Sequence, residues 1–417
     1  MKSFLMLTSP ACRASSALGL LLACSTLPAW SATAPCQPLQ QGREGNVPDQ
    51  RPAFAGQTRA CPVQQKSPQL NVTVLAKGLV HPWAVEPLPG GDLLVTERPG
   101  RMRIVTADGK TGEPIEGLPK IDAVGQGGLL DVALSPSYAS DRFVYWSYTE
   151  PRAGGNATTV ARGKLSADRR HIEAPQVVVR ALPAYDGNKH FGSRLAFGPD
   201  GMLYVTLGER SDLVMRPQAQ QLQSHMGKVL RVAPDGSVPP DNPFVGQKGA
   251  QPEIWSLGHR NVQAADFDSK GQLWVVEMGA QGGDELNRVE RGKNYGWPVA
   301  AYGEEYSGRP IGDGNTAVDG TEQPVYYWDP VIAPSGAQWW RGDSVPQWRG
   351  SLFVGALKDR ALVRLTFDAD GHVDGEERLL SDRGQRVRDV RQGADGSLYV
   401  VTDERSGELW RVTPATR

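Results

Sequence analysis

One short pattern recurs along this chain from residue 70 onward and restricts its fold more than any other feature. A turn carrying Asp or Gly is followed by an alternating apolar strand and then by an acidic or Gly/Thr stop. Four clear copies occupy residues 88–97, 197–209, 267–277 and 393–404, and two looser copies occupy 134–150 and 345–357. Each copy is followed by a second alternating strand, which is the signature of a β-hairpin.

The number of these units decides between architectures. A single small antiparallel sheet cannot bury both of its faces, and stacking such sheets radially solves this problem. We therefore predict an all-β fold, a six-bladed β-propeller of four-stranded antiparallel sheets, over residues 70–417. A β-sandwich is the alternative, but it leaves the six repeats unexplained. The 48 Gly and 32 Pro of the 417 residues also favour turn-rich β structure over a helical bundle.

The first 34 residues have the order of a secretory signal peptide. Basic residues precede the apolar run 17–23, and small residues follow it up to Ala34. The apolar run is too short to span a bilayer. We predict cleavage after Ala32 or Ala34 and export to the periplasm. The alternative is a lipoprotein signal, in which Cys24 is lipidated and anchors the protein to a membrane.

Residues 35–69 form a predicted N-terminal extension. Their low hydrophobicity is typical of a flexible segment. Cys36 and Cys61 are the two cysteines that remain after the signal region, and export would bring them into an oxidising compartment. We therefore predict a disulfide bond between Cys36 and Cys61, which would staple the extension.

The net charge and its distribution indicate which classes of partner the chain can bind. The formal net charge is −1, and the sequence contains no long Lys/Arg run or basic amphipathic helix. This composition argues against a nucleic-acid partner and suits a small neutral ligand better.

His190 is the first candidate for chemistry. It lies just before a strand, between Gly187 and Gly192, so a sharp turn can leave the imidazole at a loop tip. Histidine is the default proton acceptor near neutral pH. The alternative is an ordinary surface or hydrogen-bonded histidine.

A second group of candidates is cationic or amide-bearing and lies at strand ends. Arg386 and Arg388 are two apart in a strand and therefore point to the same face, an arrangement that can grip carboxylates. Together with Arg260, Asn261 and Lys358 they could converge on one anionic ligand. The alternative is a set of solvated residues, or salt bridges to Asp359 and Asp389.

A Gly-rich turn over residues 277–287 carries the acidic pair Asp284 and Glu285, with Tyr295 ten residues beyond Glu285. Calcium prefers carbonyl and carboxylate oxygens in flexible loops. The alternative is a solvated acidic turn, because the spacing is not that of an EF-hand.

A series of segments in order makes the sequence recognisable. It resembles the soluble PQQ-dependent sugar dehydrogenases, and among them the bacterial periplasmic aldose sugar dehydrogenases, from about residue 75 to 414. The segments that carry the resemblance include GQGGLLDVALSP, HFGSRLAFGPDGMLYVTLGE, GHRNVQ, GGDELNRVERGKNYGWP and DRGQRVRDV. The family fold is a six-bladed propeller, in agreement with the repeat count.

The resemblance implies an activity. Family members oxidise aldoses at the anomeric carbon to lactones, with PQQ and calcium as cofactors, and pass the electrons to an external acceptor. The alternative is a carbohydrate-binding or interaction propeller without turnover. The oligomeric state is left open between monomer and homodimer.

The resemblance also implies roles for single residues. His190 matches the general base, and Gln126 matches a residue near both sugar and cofactor. Arg260 and Asn261 match the pair at the quinone carbonyls. A further set matches the cations that hold the PQQ carboxylates: Lys358, Arg386 and Arg388.

The calcium ligands follow in the same way. Gly279 and Ala280 match positions whose backbone carbonyls ligate the calcium of the cofactor, and Glu285 and Tyr295 match ligands of a second calcium. One departure concerns the base, since Lys189 stands before His190 where well-known relatives carry an acid.

Overall fold

The computed structural model describes residues 36–38 and 43–415. The predicted signal peptide and Cys24 lie outside these residues. The regular elements of the described residues are almost all strands. The strands are β1 (Leu70–Leu79), β2 (Pro82–Pro87), β3 (Leu93–Glu97), β4 (Arg101–Val105), β5 (Leu129–Leu134), β6 (Phe143–Arg152), β7 (Gly155–Leu165), β8 (Ile172–Arg180), β9 (Leu195–Phe197), β10 (Leu203–Thr206), β11 (Lys228–Val232), β12 (Ile254–Leu257), β13 (Val262–Phe267), β14 (Leu273–Glu277), β15 (Asp284–Val289), β16 (Tyr326–Trp328), β17 (Pro334–Trp339), β18 (Leu352–Ala356), β19 (Ala361–Phe367), β20 (Val373–Leu379), β21 (Val387–Gln392), β22 (Leu398–Thr402) and β23 (Gly407–Pro414). One α-helix, α1 (Tyr138–Asp141), and three 3-10 helices at Arg216–Gln220, Pro346–Trp348 and Ser381–Arg383 complete the elements.

The strands form six antiparallel sheets, which confirms the predicted six-bladed propeller. Blades two to five are β5–β8, β9–β12, β13–β16 and β17–β20, and blade six is β21–β23 with β1 as its outer strand. The β1–β23 ladder, with Val72 opposite Val412, joins the two ends of the propeller. Blade one has three strands, β2–β4, instead of the predicted four. The chain beyond β4 bonds to β4 only at single residues, from Gly112 to Ile104 and from Ile115 to Met102, and then forms a bridge between Glu116 and His171 of the neighbouring blade.

The predicted repeat corresponds to the second strand of each blade. These strands are buried from end to end in β3, β10, β14, β18 and β22. Their apolar side chains alternate between the two faces of the sheet, and each face packs on a neighbouring blade. Leu94 of β3 shares a buried cluster with Trp146 of β6, and Val276 of β14 shares one with Val354 of β18. The core therefore lies between the blades.

The innermost strands close into a ring, because β2, β5, β9, β13, β17 and β21 each contact the next in this order and β21 contacts β2. Buried charges link them across the axis. Arg194 lies 2.7 Å from Asp131 of β5 and 3.1 Å from Asp389 of β21. Arg391 of β21 lies 3.2 Å from Asp389 as well. Each carboxylate is thus paired, as buried charges require.

Residues 43–69 of the N-terminal extension contact blades four and five. Thr58 forms a parallel bridge with Tyr327, and Pro62 forms one with Glu376. Cys36 and Cys61 are both disulfide-bonded. Their pairing with each other, the domain boundaries and the flexibility of residues 35–69 stay predictions. No helix among the described residues is long and apolar enough to cross a membrane.

Candidate active site

The predicted site residues gather at one end of the propeller. Gln126, His190, Arg260 and Arg386 lie in loops that lead into the inner strands β5, β9, β13 and β21, and Lys358 follows β18. In an antiparallel blade, the start of the first strand and the end of the second lie at the same edge. These loops therefore surround the same mouth of the central axis.

His190 is held by hydrogen bonds on two sides. Its backbone N–H donates to Oε1 of Gln126 at 2.8 Å, and its Nδ1 lies 2.8 Å from Oε2 of Glu209. His190 has a φ of 49° in the left-handed region, which a non-glycine residue adopts only when its surroundings fix it. Both side chains are buried, His190 at 7% and Glu209 at 0% exposure. Nδ1–H donation to the carboxylate leaves Nε2 as the basic nitrogen.

The electrostatics of the pair favour a neutral imidazole beside a charged carboxylate. Burial lowers the pKa of His190 below 6.5, and this outweighs the opposing pull of Glu209; Arg260 lowers it further. Burial alone would raise the pKa of Glu209, but His190 and the N–H of Ser211 hold it below its usual value. A neutral histidine whose second nitrogen faces a carboxylate is the arrangement of a general base.

Two titrations test this pair. Only neutral His190 can accept a proton, and its pKa is lowered, so we expect the acid limb of kcat/KM below pH 6.5. Activity should be complete above the lowered pKa and fall as the pH drops through it. Glu209→Gln removes the charge that raises the His190 pKa, so the limb should move to lower pH while kcat falls by roughly 10²–10⁴-fold. A lower kcat with an unmoved limb would assign Glu209 a purely structural role.

Three guanidinium groups surround one carboxylate at the start of blade six. Arg388 and Arg386 lie 2.5 Å and 3.3 Å from the same oxygen of Asp403, so both point to one face as predicted. Burial, with Arg388 and Arg386 nearby, lowers the pKa of Arg98 although Asp403 opposes this. The buried Nε atoms of Arg98 and Arg388 have no hydrogen-bond partner among the described residues. The cluster therefore carries surplus positive charge and free donors.

The salt bridges that were the alternative for these cations do not form. Asp389 pairs with Arg194 and Arg391 on the axis. Asp359 pairs with Arg43 at 3.0 Å and with Arg378 at 3.4 Å. The side chain of Lys358, next to Asp359, is exposed.

Arg260 and Asn261 are buried beside the base. The Arg260 guanidinium donates to the carbonyl of Met278 at 2.9 Å and to that of Gly279, and it lies 5.1 Å from the ring centroid of Trp297. Its Nε is also buried and has no hydrogen-bond partner among the described residues. Oδ1 of Asn261 accepts the N–H of Gly192 at 3.2 Å, which ties it to the His190 loop.

The Gly-rich turn after β14 contains a pocket with two carboxylates. Glu277, Glu285, Gly279 and Tyr295 all line it. Both oxygens of Glu277 accept protein hydrogen bonds, from Nδ1 of His259 at 2.9 Å and from the N–H of Arg260 at 2.7 Å. Burial, together with Glu277, raises the pKa of Glu285 well above its usual value. A bound cation would relieve this unfavourable burial of charge.

The turn itself is fixed by Asp284 and by close packing. Asp284 accepts the N–H groups of Gly279, Ile332 and Ala333, each at 2.8 Å. Burial raises the pKa of Asp284 to about 6. A Cβ at Gly279 would lie 2.3 Å from the carbonyl oxygen of Gly282, so only glycine fits here. Ala280 is buried.

Tyr295 lines the pocket, but its hydroxyl is engaged elsewhere. The hydroxyl donates to the carbonyl of Arg288 at 2.7 Å and accepts the N–H of Glu290 at 2.9 Å. Its ring stacks on His259 with centroids 4.8 Å apart. The oxygen that Tyr295 can offer an ion is therefore its backbone carbonyl.

Known proteins share both the sequence pattern and the fold of this chain. The profile of the family described as Glucose / Sorbosone dehydrogenase matches residues 79–411. The chain belongs to this family. The match confirms the resemblance found in the sequence and the predicted enzyme class, a sugar dehydrogenase.

Individual sugar dehydrogenases are similar to this chain over most of its length. Aldose sugar dehydrogenase YliI of Escherichia coli is 44% identical over 83% of this chain and 93% of its own. The apo-form crystal structure of the soluble aldose sugar dehydrogenase from Escherichia coli superposes with a TM-score of 0.79 at 44% identity and covers 83% of this chain and all of its own. The PQQ-bound form of aldose sugar dehydrogenase from Streptomyces coelicolor does so with a TM-score of 0.68 at 33% identity, covering 84% of this chain and all of its own.

Several site residues of this sugar dehydrogenase were missed by sequence reasoning. Glu209, Glu277 and Asp403 are the acidic stops of three repeat copies, and all lie at the site end of the propeller. Arg98 follows the acidic stop of another copy. The acidic residue that ends a repeat copy was therefore also a signal for the candidate site, although the copies served only to predict the number of blades.

Proposed function

We propose that this sugar dehydrogenase oxidises aldoses at the anomeric carbon to lactones with PQQ and calcium as cofactors. The observation that carries the proposal is the buried His190–Glu209 pair beside guanidinium groups whose Nε atoms lack partners among the described residues. The pair supplies a base for the sugar. The guanidinium groups supply a seat for an anionic cofactor.

The cationic groups fit PQQ, which carries three carboxylates. Arg98, Arg386 and Arg388 exceed the single charge of Asp403, so anionic groups would balance them. Their free N–H donors would form charge-assisted hydrogen bonds with carboxylate oxygens. Lys358 adds an exposed cation. Arg260 and Asn261 would hold the quinone end.

The turn after β14 fits calcium. Glu285 offers a carboxylate of raised pKa, and Tyr295 offers a backbone carbonyl, which are hard oxygen ligands of the kind calcium prefers. Gly279 and Arg260 both line this pocket, and the carbonyl of Gly279 accepts a hydrogen bond from Arg260. Gly279 and Ala280 would ligate a calcium at the cofactor, and Glu285 and Tyr295 a second ion.

The residues of the chain divide the reaction between them. When bound, PQQ with its calcium would supply the two-electron oxidant for the anomeric carbon. Nε2 of His190 takes the proton of the anomeric hydroxyl. The anomeric carbon and this hydroxyl oxygen thereby become the C=O group of the lactone. Glu209 stabilises the imidazolium that results. Gln126 fixes the position of the base, because its Oε1 accepts the backbone N–H of His190. An external acceptor would take up the two electrons.

Reconstitution tests the proposal. The purified protein is loaded with PQQ and calcium, and aldose-dependent reduction of an artificial dye is measured with lactone as the analysed product. We expect activity that needs both cofactors and is lost when calcium is removed by a chelator. Cofactor binding without activity on any aldose would favour the alternative, a carbohydrate-binding propeller without turnover.

A further inference from the structure

The segment 43–62, here called the N-terminal strap, precedes the part of the chain that the family profile matches, which begins at residue 79. The strap lies against the long segment 298–331 that connects β15 and β17 around β16. That segment includes Tyr302, which lines the same pocket as Glu277 and Glu285. The strap therefore contacts the outer side of the proposed calcium pocket.

Gln57 is the main anchor of the strap and has no exposed surface. Its Oε1 accepts the N–H of Ala53 at 2.7 Å and lies 3.0 Å from the Tyr302 hydroxyl. Its Nε2 donates to the carbonyl of Pro324 at 2.9 Å and to Oε1 of Gln323 at 3.2 Å. A single buried amide thus joins the strap to both ends of the segment around Tyr302.

Two further strap residues bind the backbone of the same segment. Gln50 accepts the N–H of Gly303 at 2.6 Å and donates to its carbonyl at 3.1 Å. Oδ1 of Asn46 accepts the N–H of Val331 at 3.1 Å, while the N–H of Asn46 donates to Asp329 at 2.5 Å. These contacts supply the hydrogen bonds that a neighbouring strand would otherwise give to this irregular stretch of backbone.

The segment held by the strap in turn holds the Gly-rich turn. Gln281 and Glu304 exchange backbone hydrogen bonds of 3.0 Å and 2.9 Å. A Cβ at Gly283 would lie 2.2 Å from the carbonyl oxygen of Tyr302, so the two backbones touch. Contacts therefore run without a break from the strap through Tyr302 and Gly303 to the turn that begins at Gly279.

We propose that the N-terminal strap is a positioning segment of the calcium pocket: Asn46, Gln50 and Gln57 hold the segment 298–331, and this segment holds the proposed calcium-binding turn. The inference rests on the proposed function, since it concerns the calcium named there. Residues that support metal ligands from behind typically change metal affinity by about 10- to 100-fold when they are removed.

Three variants of the full mature chain test the strap. Gln57→Ala and Asn46→Ala each remove anchors to the segment 298–331. Ser67→Ala is the matched control, because Ser67 lies in the same N-terminal extension but binds Glu377 at 2.7 Å and Trp348 at 2.8 Å on blade five. Calcium affinity is measured by isothermal titration with calcium chloride alone. In parallel, calcium-free protein is treated with chymotrypsin, and cleavage after Tyr306, which is 73% exposed, is followed by mass spectrometry.

We expect Gln57→Ala and Asn46→Ala to weaken calcium binding about tenfold and to speed cleavage after Tyr306, while Ser67→Ala matches the wild type. Unchanged affinity in both strap variants, or an equal loss in Ser67→Ala, would overturn the proposal. If the wild type bound no calcium, the calcium part of the proposed function would fail. The cleavage rates would then decide alone: faster cleavage in the strap variants supports the holding role, and equal rates overturn it.

Discussion

Replacing His190 by glutamine is expected to lower turnover by roughly 10²–10⁴-fold while PQQ remains bound. The glutamine amide can still donate to Glu209, which otherwise would be left as a buried charge without its 2.8 Å partner. It cannot accept a proton from the sugar at a useful pKa. The loss should therefore appear in kcat of the reconstituted enzyme, measured by dye reduction, with the PQQ affinity measured separately by fluorescence titration.

A second histidine provides the matched control. His225 is as buried as His190 and lies 3.4 Å from Glu253, but it belongs to the loop before β11, and its Nδ1 accepts the N–H of Leu182. His225→Gln should leave kcat within a few-fold of the wild type. Near-normal turnover in His190→Gln, or an equal loss in His225→Gln, would contradict the role of His190 as the base.

The fold could be predicted because its information is local and repeated. Each copy of the pattern specifies a buried strand by alternation alone, and six copies leave few ways to cover both faces of every sheet. The three-stranded first blade could not be predicted in this way. The stretch after β4 bonds to β4 at single residues and to the neighbouring blade through Glu116 and His171, and this long-range pairing leaves no mark in the local alternation of the sequence.

The site was only partly predictable, because its pairs join different loops. The sequence places Lys189 beside His190 and shows no adjacent acid, yet the carboxylate comes from Glu209 at the far end of β10. In the same way Arg388 meets Asp403 from the end of the neighbouring strand β22. Strand spacing indicated that Arg386 and Arg388 share a face, but only the three-dimensional fold shows which carboxylate lies opposite them.

The hydroxyl of Tyr295 illustrates a different limit. The resemblance implied a calcium ligand at Tyr295 without naming the atom, and the available oxygen depends on where the side chain packs. In the structure the hydroxyl bonds to the backbone at Arg288 and Glu290. Sequence matching points to a position, whereas the oxygen atom that is free to bind an ion at this position depends on the surrounding hydrogen bonds.

The guanidinium cluster leads to the second large effect. Arg388 is 7% exposed, donates to Asp403 at 2.5 Å and to Gln263 at 3.3 Å, and keeps an Nε without a partner among the described residues. Burial would raise the pKa of Asp403, but Arg388, Arg386 and Arg98 hold it far below its usual value. Asp403 therefore stays charged and keeps the arginines in place without neutralising all of them.

Arg388→Ala is expected to weaken PQQ binding by about 2 to 4 kcal/mol, or roughly 30- to 1,000-fold in Kd. The variant loses a buried charge-assisted contact with the cofactor. It also leaves the negative charge of Asp403 less well neutralised, so that Asp403 repels the PQQ carboxylates. Arg388→Lys keeps the charge but not the planar fork, so it should recover only part of this affinity. Arg411→Ala is the control, since Arg411 pairs with Asp395 at 2.7 Å at the opposite end of blade six. The measurement is a fluorescence titration of each calcium-loaded variant with PQQ. Wild-type affinity in Arg388→Ala, or an equal loss in Arg411→Ala, would contradict the assignment of the arginine cluster to PQQ binding. A group that holds PQQ carboxylates must change the PQQ affinity when it alone is deleted.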